Sequence, residues 1–359
     1  MAGMKPWHWA VPVAGLLALG LSPLLPGGVP LALLQGLALG GGVFAAVHHA
    51  EVVAHRVGEP FGTLVLAVAV TIIEVALILA VWTGGGPEKA ALARDTTYAV
   101  IMIVANGLVG LCLLTGAIRH HVQEFRVEGA NSALSVLAAL SLLILVLPNT
   151  TSTTVGPMLS PMQLAFTGLL SLILYAVFVF VQTVRHRDYF LPQVAGLNGT
   201  EEHALPPSNR ATLISFVLMV VALVAVVGLA KALSPAVERA IAAAGAPEAV
   251  VGIVIATLVL LPETVAALRA AAANRLQVSL NLALGSALAN IGLTIPTVAA
   301  VSVLTDRPLL LGLEPKETVL LALTLLVGVL TLGTGRTTVL QGAVHLVIFA
   351  AFLFLAVVP

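Results

Sequence analysis

The chain has 359 residues, of which 59% are apolar and only 9% charged. A soluble domain carries about 25% charged residues, so this composition excludes a solvated globular surface, and it excludes a disordered chain for the same reason. Lys plus Arg and Asp plus Glu number 16 each, a balance that gives no support to a nucleic-acid partner.

The apolar residues fall into eleven runs: 9–25, 30–54, 61–83, 96–118, 131–148, 162–184, 211–233, 247–269, 277–303, 316–334 and 338–358. A helix of roughly 20 such residues crosses a bilayer core about 30 Å thick. The pattern predicts an all-α polytopic membrane protein. The first run follows Lys5 and contains several prolines; no small-x-small cleavage pattern stands before Pro30, so it reads as a short membrane helix rather than a signal peptide. Cys112 is the single cysteine, which rules out an intrachain disulfide.

Turn formers and charges separate the runs, as in Gly58-Glu59-Pro60, Gly84 to Pro87, Pro148 to Pro161 and Asp306-Arg307-Pro308. The longest polar break, 186–210, carries Pro192, Asn198-Gly199, Glu201-Glu202 and Pro206-Pro207 and reads as a flexible cytoplasmic connector. Asn198-Gly199-Thr200 fits a glycosylation pattern but is more simply a turn. The expected division is an N-terminal helix over 1–28, five helices over 29–185, the connector over 186–210, and five more over 211–359.

Basic residues set the orientation. One side collects Lys5, Arg56, Arg119, Arg126, Arg185, Arg187, Arg210, Arg269, Arg275 and Arg336; the other collects only Lys89, Arg94, Lys231, Arg239, Arg307 and Lys316. The richer side is expected to face the cytoplasm, with the N-terminus inside and the C-terminus outside.

The two sets of five helices repeat. Glu74 lies in the second helix of the first set and Glu263 in the second helix of the other; Asn106 and Asn290 follow in the third helix of each. An odd number of crossings per set puts the copies in opposite orientations, and inverted repeats are common in secondary transporters, with the ion site near the midplane.

Both glutamates stand in runs of Val, Ala, Ile and Leu. A charge at the centre of a membrane helix costs roughly 2.5–3.5 kcal/mol on insertion scales. Two such residues at matched positions read as carboxylates converging on one cation, against the plainer alternative of a structural hydrogen bond. Ser279, Ser286, Asn290 and Thr294 are spaced seven, four and four apart, which at 3.6 residues per turn puts them on one helix face. Gly285 and Gly292 permit close backbone approach beside them, and Gly107 and Gly110 flank Asn106. Thr71 precedes Glu74 by one turn, and Pro262 removes a helix hydrogen bond next to Glu263. Taken singly, small polar residues in membrane helices also serve as packing contacts.

The donor set is oxygen only, which suits Ca2+, Mg2+ or alkali cations rather than zinc or copper, and two carboxylates match a divalent charge. Protons and cation would compete for the same oxygens, coupling their movements without ATP. No P-loop or other nucleotide motif occurs, so no nucleotide or resident cofactor is expected; the partners are the lipid bilayer and inorganic cations, and a homo-oligomer is compatible with the sequence. A membrane enzyme using buried carboxylates lacks H-E-x-x-H or any similar support, and a channel is disfavoured alike.

A second polar group is His48, Glu51 and His55. His48 and His55 lie about 10 Å apart along a rigid helix, too far for one ion; a proton or surface-cation pathway is the functional reading and a polar helix end the plainer one. Glu59, before Pro60, suits the positive end of a helix dipole or a cation vestibule. Arg336 and His345 read as packing or interface residues.

The stretch from His55-Arg-Val-Gly-Glu-Pro-Phe-Gly-Thr-Leu to Glu74, the stretch from Leu261-Pro262-Glu263 to Asn290, and Thr334-Gly-Arg-Thr-Thr-Val-Leu-Gln-Gly-Ala-Val-His345-Leu resemble the calcium/cation–proton antiporters, nearest to their bacterial calcium/sodium–proton branch. The resemblance runs from about Ala46 to the end. It implies a bacterial inner-membrane location and two inverted five-helix repeats behind one extra helix. It further implies that Glu74 and Glu263 bind the cation, with help from Asn106, Ser286 and Asn290. The family's Gly-Asn-Ala-x-Glu is replaced here by Val70-Thr71-Ile72-Ile73-Glu74 and Val259-Leu260-Leu261-Pro262-Glu263. The motif asparagines are absent, which leaves Na+ or K+ open beside Ca2+. The family's long acidic loop is reduced to Glu201-Glu202.

Overall fold

The computed structural model describes residues 6–58, 61–84, 87–191, 207–245, 247 and 249–358. Lys5, Glu59, Pro192, Asn198-Gly199-Thr200, Glu201-Glu202 and Pro206 lie outside the described residues.

Among the described residues, eleven helices are long and apolar enough to cross a membrane. Some are single α-helices: α1 (Pro6–Leu21), α2 (Val29–Val57), α3 (Phe61–Gly84), α8 (Asn209–Ala243), α9 (Ala249–Ala272), α12 (Pro315–Leu332) and α13 (Val339–Val357). Four spans are interrupted by a π-turn, a widened turn with i→i+5 hydrogen bonds. They are α4 (Leu92–Met102) running through Ile103–Leu108 into α5 (Val109–His120), α6 (Val127–Ser141) into Leu142–Val146, α7 (Pro161–Phe180) into Val181–Arg185, and α10 (Leu276–Ala289) through Asn290–Thr294 into α11 (Ile295–Thr305). One helix precedes two sets of five, so the sets cross the membrane in opposite senses. This is the architecture that the hydropathy pattern predicts, with the runs and the observed helices in register throughout.

The chain divides into two compact units, Met1–Lys89 with Glu202–Pro262 and Ala90–Glu201 with Glu263–Pro359. In the first unit, α1, α2, α3 and α8 pack together. Small residues let the backbones close up: a Cβ on Gly42 would lie 2.9 Å from a Val226 methyl. Lys89 pairs with Glu238 of α8 at 3.7 Å.

In the second unit the π-turn spans are central. Within their most apolar stretches, Lys89–His120 is 78% buried and Leu276–Thr305 61%, more than any other span. α5 packs on α13, α10 on α6, α11 on α7, and α12 on α6. Polar residues tie the ends. The strand pair β1 (Gln123–Glu124) and β2 (Arg336–Thr337) is antiparallel, and Arg336 reaches Glu124 at 3.0 Å; Arg336 is exposed. Gln123 Nε2 donates to the Ala271 carbonyl and to Asn274 Oδ1, both at 3.0 Å. The start of the connector is docked: Phe190 is buried edge-on against Phe178, and its carbonyl accepts from Asn281 Nδ2 at 2.6 Å. Capping boxes start α7 (Ser160 with Gln163), α12 (Glu314 with Glu317) and α13 (Thr338 with Gln341).

The α5–α13 crossing brings two backbones into close contact. A Cβ on Gly342 would meet the Leu114 amide nitrogen at 2.7 Å and the Gly110 carbonyl at 3.0 Å. These are backbone atoms that cannot swing aside. Gly342→Ala is expected to destabilise the protein by about 1–3 kcal/mol, read as a lower thermal unfolding midpoint in detergent. Gly40→Ala, with nothing within 4 Å of its Cβ, is expected to leave the midpoint unchanged or raise it.

Candidate functional site

Glu74 sits on α3 between Ile73 and Val75 and is 1% exposed. Thr71, one turn earlier, is also buried. Both belong to the first unit, as does Pro262, its last residue. Glu263, half-buried on α9, is the first residue of the second unit's closing segment. Glu74 and Glu263 each have electrostatic or hydrogen-bonding partners; neither is an isolated charge in an apolar run.

The remaining candidates are in the second unit. Asn106 and Asn290, the matched asparagines, both stand on π-turns, in the middle of Ile103–Leu108 and at the head of Asn290–Thr294. A π-turn disturbs the regular i→i−4 ladder and is often found where a helix carries a function. Ser286 is half-buried one turn before Asn290, and Ser279 and Thr294 are fully buried on the same span. Gly292 makes the close approach expected of it: a Cβ there would lie 2.8 Å from Tyr175 Cβ. Gly285 does not. Its Cβ would meet nothing within 4 Å, since it borders a small cavity beside Gly129, Phe178 and Phe190, so its smallness is not required by packing.

Asn106 is 0% exposed and its hydrogen bonds are explicit. Nδ2 donates to Thr324 Oγ1 on α12 at 2.8 Å, and Oδ1 lies 3.2 Å from His345 Nδ1 on α13. Thr324 in turn donates to the Leu320 carbonyl at 2.7 Å. Gly107 and Gly110 make room: their Cβ atoms would meet the Phe349 ring at 3.2 Å and His345 Cβ at 3.0 Å. His345, 1% exposed, is therefore tied to a candidate ligand, where the sequence suggests a packing residue. Its partner is 239 positions away, which no local pattern could reveal.

The His48 group assembles differently from the helical spacing. Glu51 and His55 are exposed, while the His48 ring turns to α1, 4.2 Å from the His8 ring and 5.1 Å from Trp7. His49 Nε2 is 2.8 Å from the His8 carbonyl. Among the described residues no group of three or more His, Cys, Asp or Glu side chains could hold a metal ion. The first unit also has a cavity of about 250 Å3 lined by Leu39, Leu77, Val81, Val251 and Ile255; its walls are mostly apolar, and their polar groups, Ser234 and Glu238, are bonded to each other, with Glu238 also paired to Lys89.

The sodium/calcium exchanger protein family model matches residues 28–184 and 214–358. The y4hA protein of Sinorhizobium fredii is 50% identical over 360 residues, covering 98% of this chain and 96% of its own. The sodium-potassium/proton antiporter ChaA of Escherichia coli strain K12 is 35% identical over 346 residues, covering 95% of this chain and 93% of its own. Among solved structures, YfkE superimposes with a TM-score of 0.74 at 15% identity, covering 98% of this chain and 100% of its own. The H+/Ca2+ exchanger CAX gives 0.73 at 18%, covering 97% and 87%. At these identities the solved structures speak for the fold.

Thr324→Val removes the acceptor of Asn106 Nδ2 where water does not reach. It is expected to cost about 1–3 kcal/mol, the penalty of a buried donor left unmatched, seen as a lower unfolding midpoint in detergent. Thr297→Val, at an exposed site on α11, is expected to stay within about 0.5 kcal/mol of the parent.

Proposed function

We propose that this chain, which belongs to the sodium/calcium exchanger protein family, exchanges cytoplasmic Ca2+ for external H+ by alternating access, with Glu74 and Glu263 held in turn by metal and by protons. The chain is a secondary transporter of the cation exchanger type, not an enzyme, and a multi-pass membrane protein. The observation that carries the finer reading is the burial of a glutamate, Glu74 at 1% exposure, in the middle of an apolar helix, with its counterpart Glu263 at the matched place of the second set. A carboxylate in such a place is stable only with a partner. Beside the partners it has within the protein, a bound metal ion would balance its charge in one state, and a bound proton would neutralise it in the other. Asn106, Ser286 and Asn290 would add neutral oxygens, a donor set suited to hard cations.

In this reading the cation leaves the cytoplasm as protons enter. Two carboxylates favour a divalent cargo. A second reading, Na+ or K+ exchange on the same scaffold, is favoured by one specific observation: the relative at 35% identity bears the name sodium-potassium/proton antiporter, and the asparagines of the family's acidic motif are missing here.

The deciding experiment uses everted membrane vesicles acidified by respiration, with Ca2+, Na+ and K+ added separately. The transported cation is expected to alkalinise the lumen. Lowering the external pH is expected to raise the apparent KM for that cation, because protons compete for the same oxygens. Glu74→Gln and Glu263→Gln are each expected to cut exchange by more than about 100-fold, since even outer partners of a metal ligand typically cost 10–100-fold, with the folded protein still recovered. Normal transport by either variant would overturn the site assignment.

A further inference from the structure

The geometry points to His345 as a positioning residue of the transport site: its Nδ1–H fixes the Asn106 side-chain amide in one orientation and thereby sets the affinity for the transported cation. The inference rests on the reading of Asn106 as a ligand.

The orientation follows from counting protons. A threonine hydroxyl has one proton to give and can accept others. Thr324 directs its proton to the Leu320 carbonyl at 2.7 Å, so towards Asn106 it accepts. The Asn106 atom 2.8 Å from Thr324 Oγ1 is then the amide nitrogen, and the atom facing His345 is the oxygen. An amide oxygen only accepts. His345 must therefore donate from Nδ1, which makes the neutral ring the Nδ1–H tautomer. Consistent with this, Nε2 is buried and makes no hydrogen bond among the described residues; a bare lone pair there leaves no N–H unmatched.

This arrangement matters for a ligand because an amide can flip. An Asn106 amide tied at the nitrogen alone could turn its oxygen away. With both ends held by two different helices, α12 and α13, one oxygen lone pair is taken by His345 and the second keeps a fixed direction. Preorganisation of this kind lowers what binding must spend on ordering the site. Gly110 and Gly342 allow α13 close enough for the histidine to reach.

The test compares wild type, His345→Leu, His345→Gln, Asn106→Ala and the Asn106→Ala/His345→Leu double variant in everted vesicles, with whichever of Ca2+, Na+ or K+ wild type exchanges. His345→Leu is expected to raise the cation KM roughly tenfold, the worth of about one hydrogen bond, with the maximal rate little changed. His345→Gln, which keeps a donor and removes the titratable ring, is expected to restore the KM. On the Asn106→Ala background, His345→Leu is expected to add less than about twofold, as for two residues acting through one contact. A wild-type KM in His345→Leu beside an impaired Asn106→Ala overturns this inference alone, as does an undiminished effect of His345→Leu without Asn106. A wild-type KM in Asn106→Ala overturns the ligand reading and the inference with it. The 15N shifts of His345 in labelled wild-type protein give an answer that needs no variant: the Nδ1–H tautomer is expected, and an Nε2–H tautomer overturns the orientation.

Discussion

A polar group inside a bilayer must find its partner within the protein, because no water is there to take the place of one. With 9% charged residues, this chain places few such groups in its spans. Each one shapes its surroundings. Glu74 at 1% exposure and Asn106 at 0% are held by partners and not by solvent. A buried polar network of this kind is worth most when every member is satisfied and costs most when one is missing. The chain Leu320–Thr324–Asn106–His345 is of this sort, reaching across three spans and fixing the direction of each donor.

The same constraint bears on the helix breaks. Irregular backbone is tolerated at membrane depth where it is buried in protein. The two π-turns that carry asparagines lie in the two most buried spans. The other two π-turns, Leu142–Val146 and Val181–Arg185, fall at or near the ends of their spans, so the feature alone does not mark a site; it does so when a matched polar side chain stands on it.

Much of this was legible in the sequence because hydrocarbon is an unforgiving solvent. The eleven spans could be counted from apolar runs, and Glu74 and Glu263 stood out because no other charge stands in the interior of those runs. Asn106 and Asn290 were legible only through the repeat, which gave two independent sightings of one position. His345 was not. An imidazole in an apolar run has no local mark that separates a packed ring from one bonded to a helix far back in the chain. The π-turns were hidden as well, since the sequence shows no periodicity for a ladder displaced by one residue. Gly285 was misjudged for a related reason: smallness shows what a residue permits, and only the neighbouring helix decides whether that is used. The compact units cut across the repeats, with the boundary inside α9 at Pro262 and Glu263, a division that depends on contacts and not on chain order.

The repeat also locates where the two halves part company. α7 reads Gly168-x-x-Ser171-x-x-x-Tyr175-x-x-Phe178 and α13 reads Gly342-x-x-His345-x-x-x-Phe349-x-x-Phe352. Each pattern lies against the π-turn span of the other half: Tyr175 is met by Gly292, and Phe349 by Gly107. The aromatic positions are kept and the polar one is exchanged. Ser171 is short and gives its proton to Thr167 of its own helix at 2.9 Å. His345, longer by a ring, crosses the gap to Asn106. The two stretches thus differ in reach at this position: the histidine meets Asn106 of the opposite half, while the serine hydroxyl stays with its own helix.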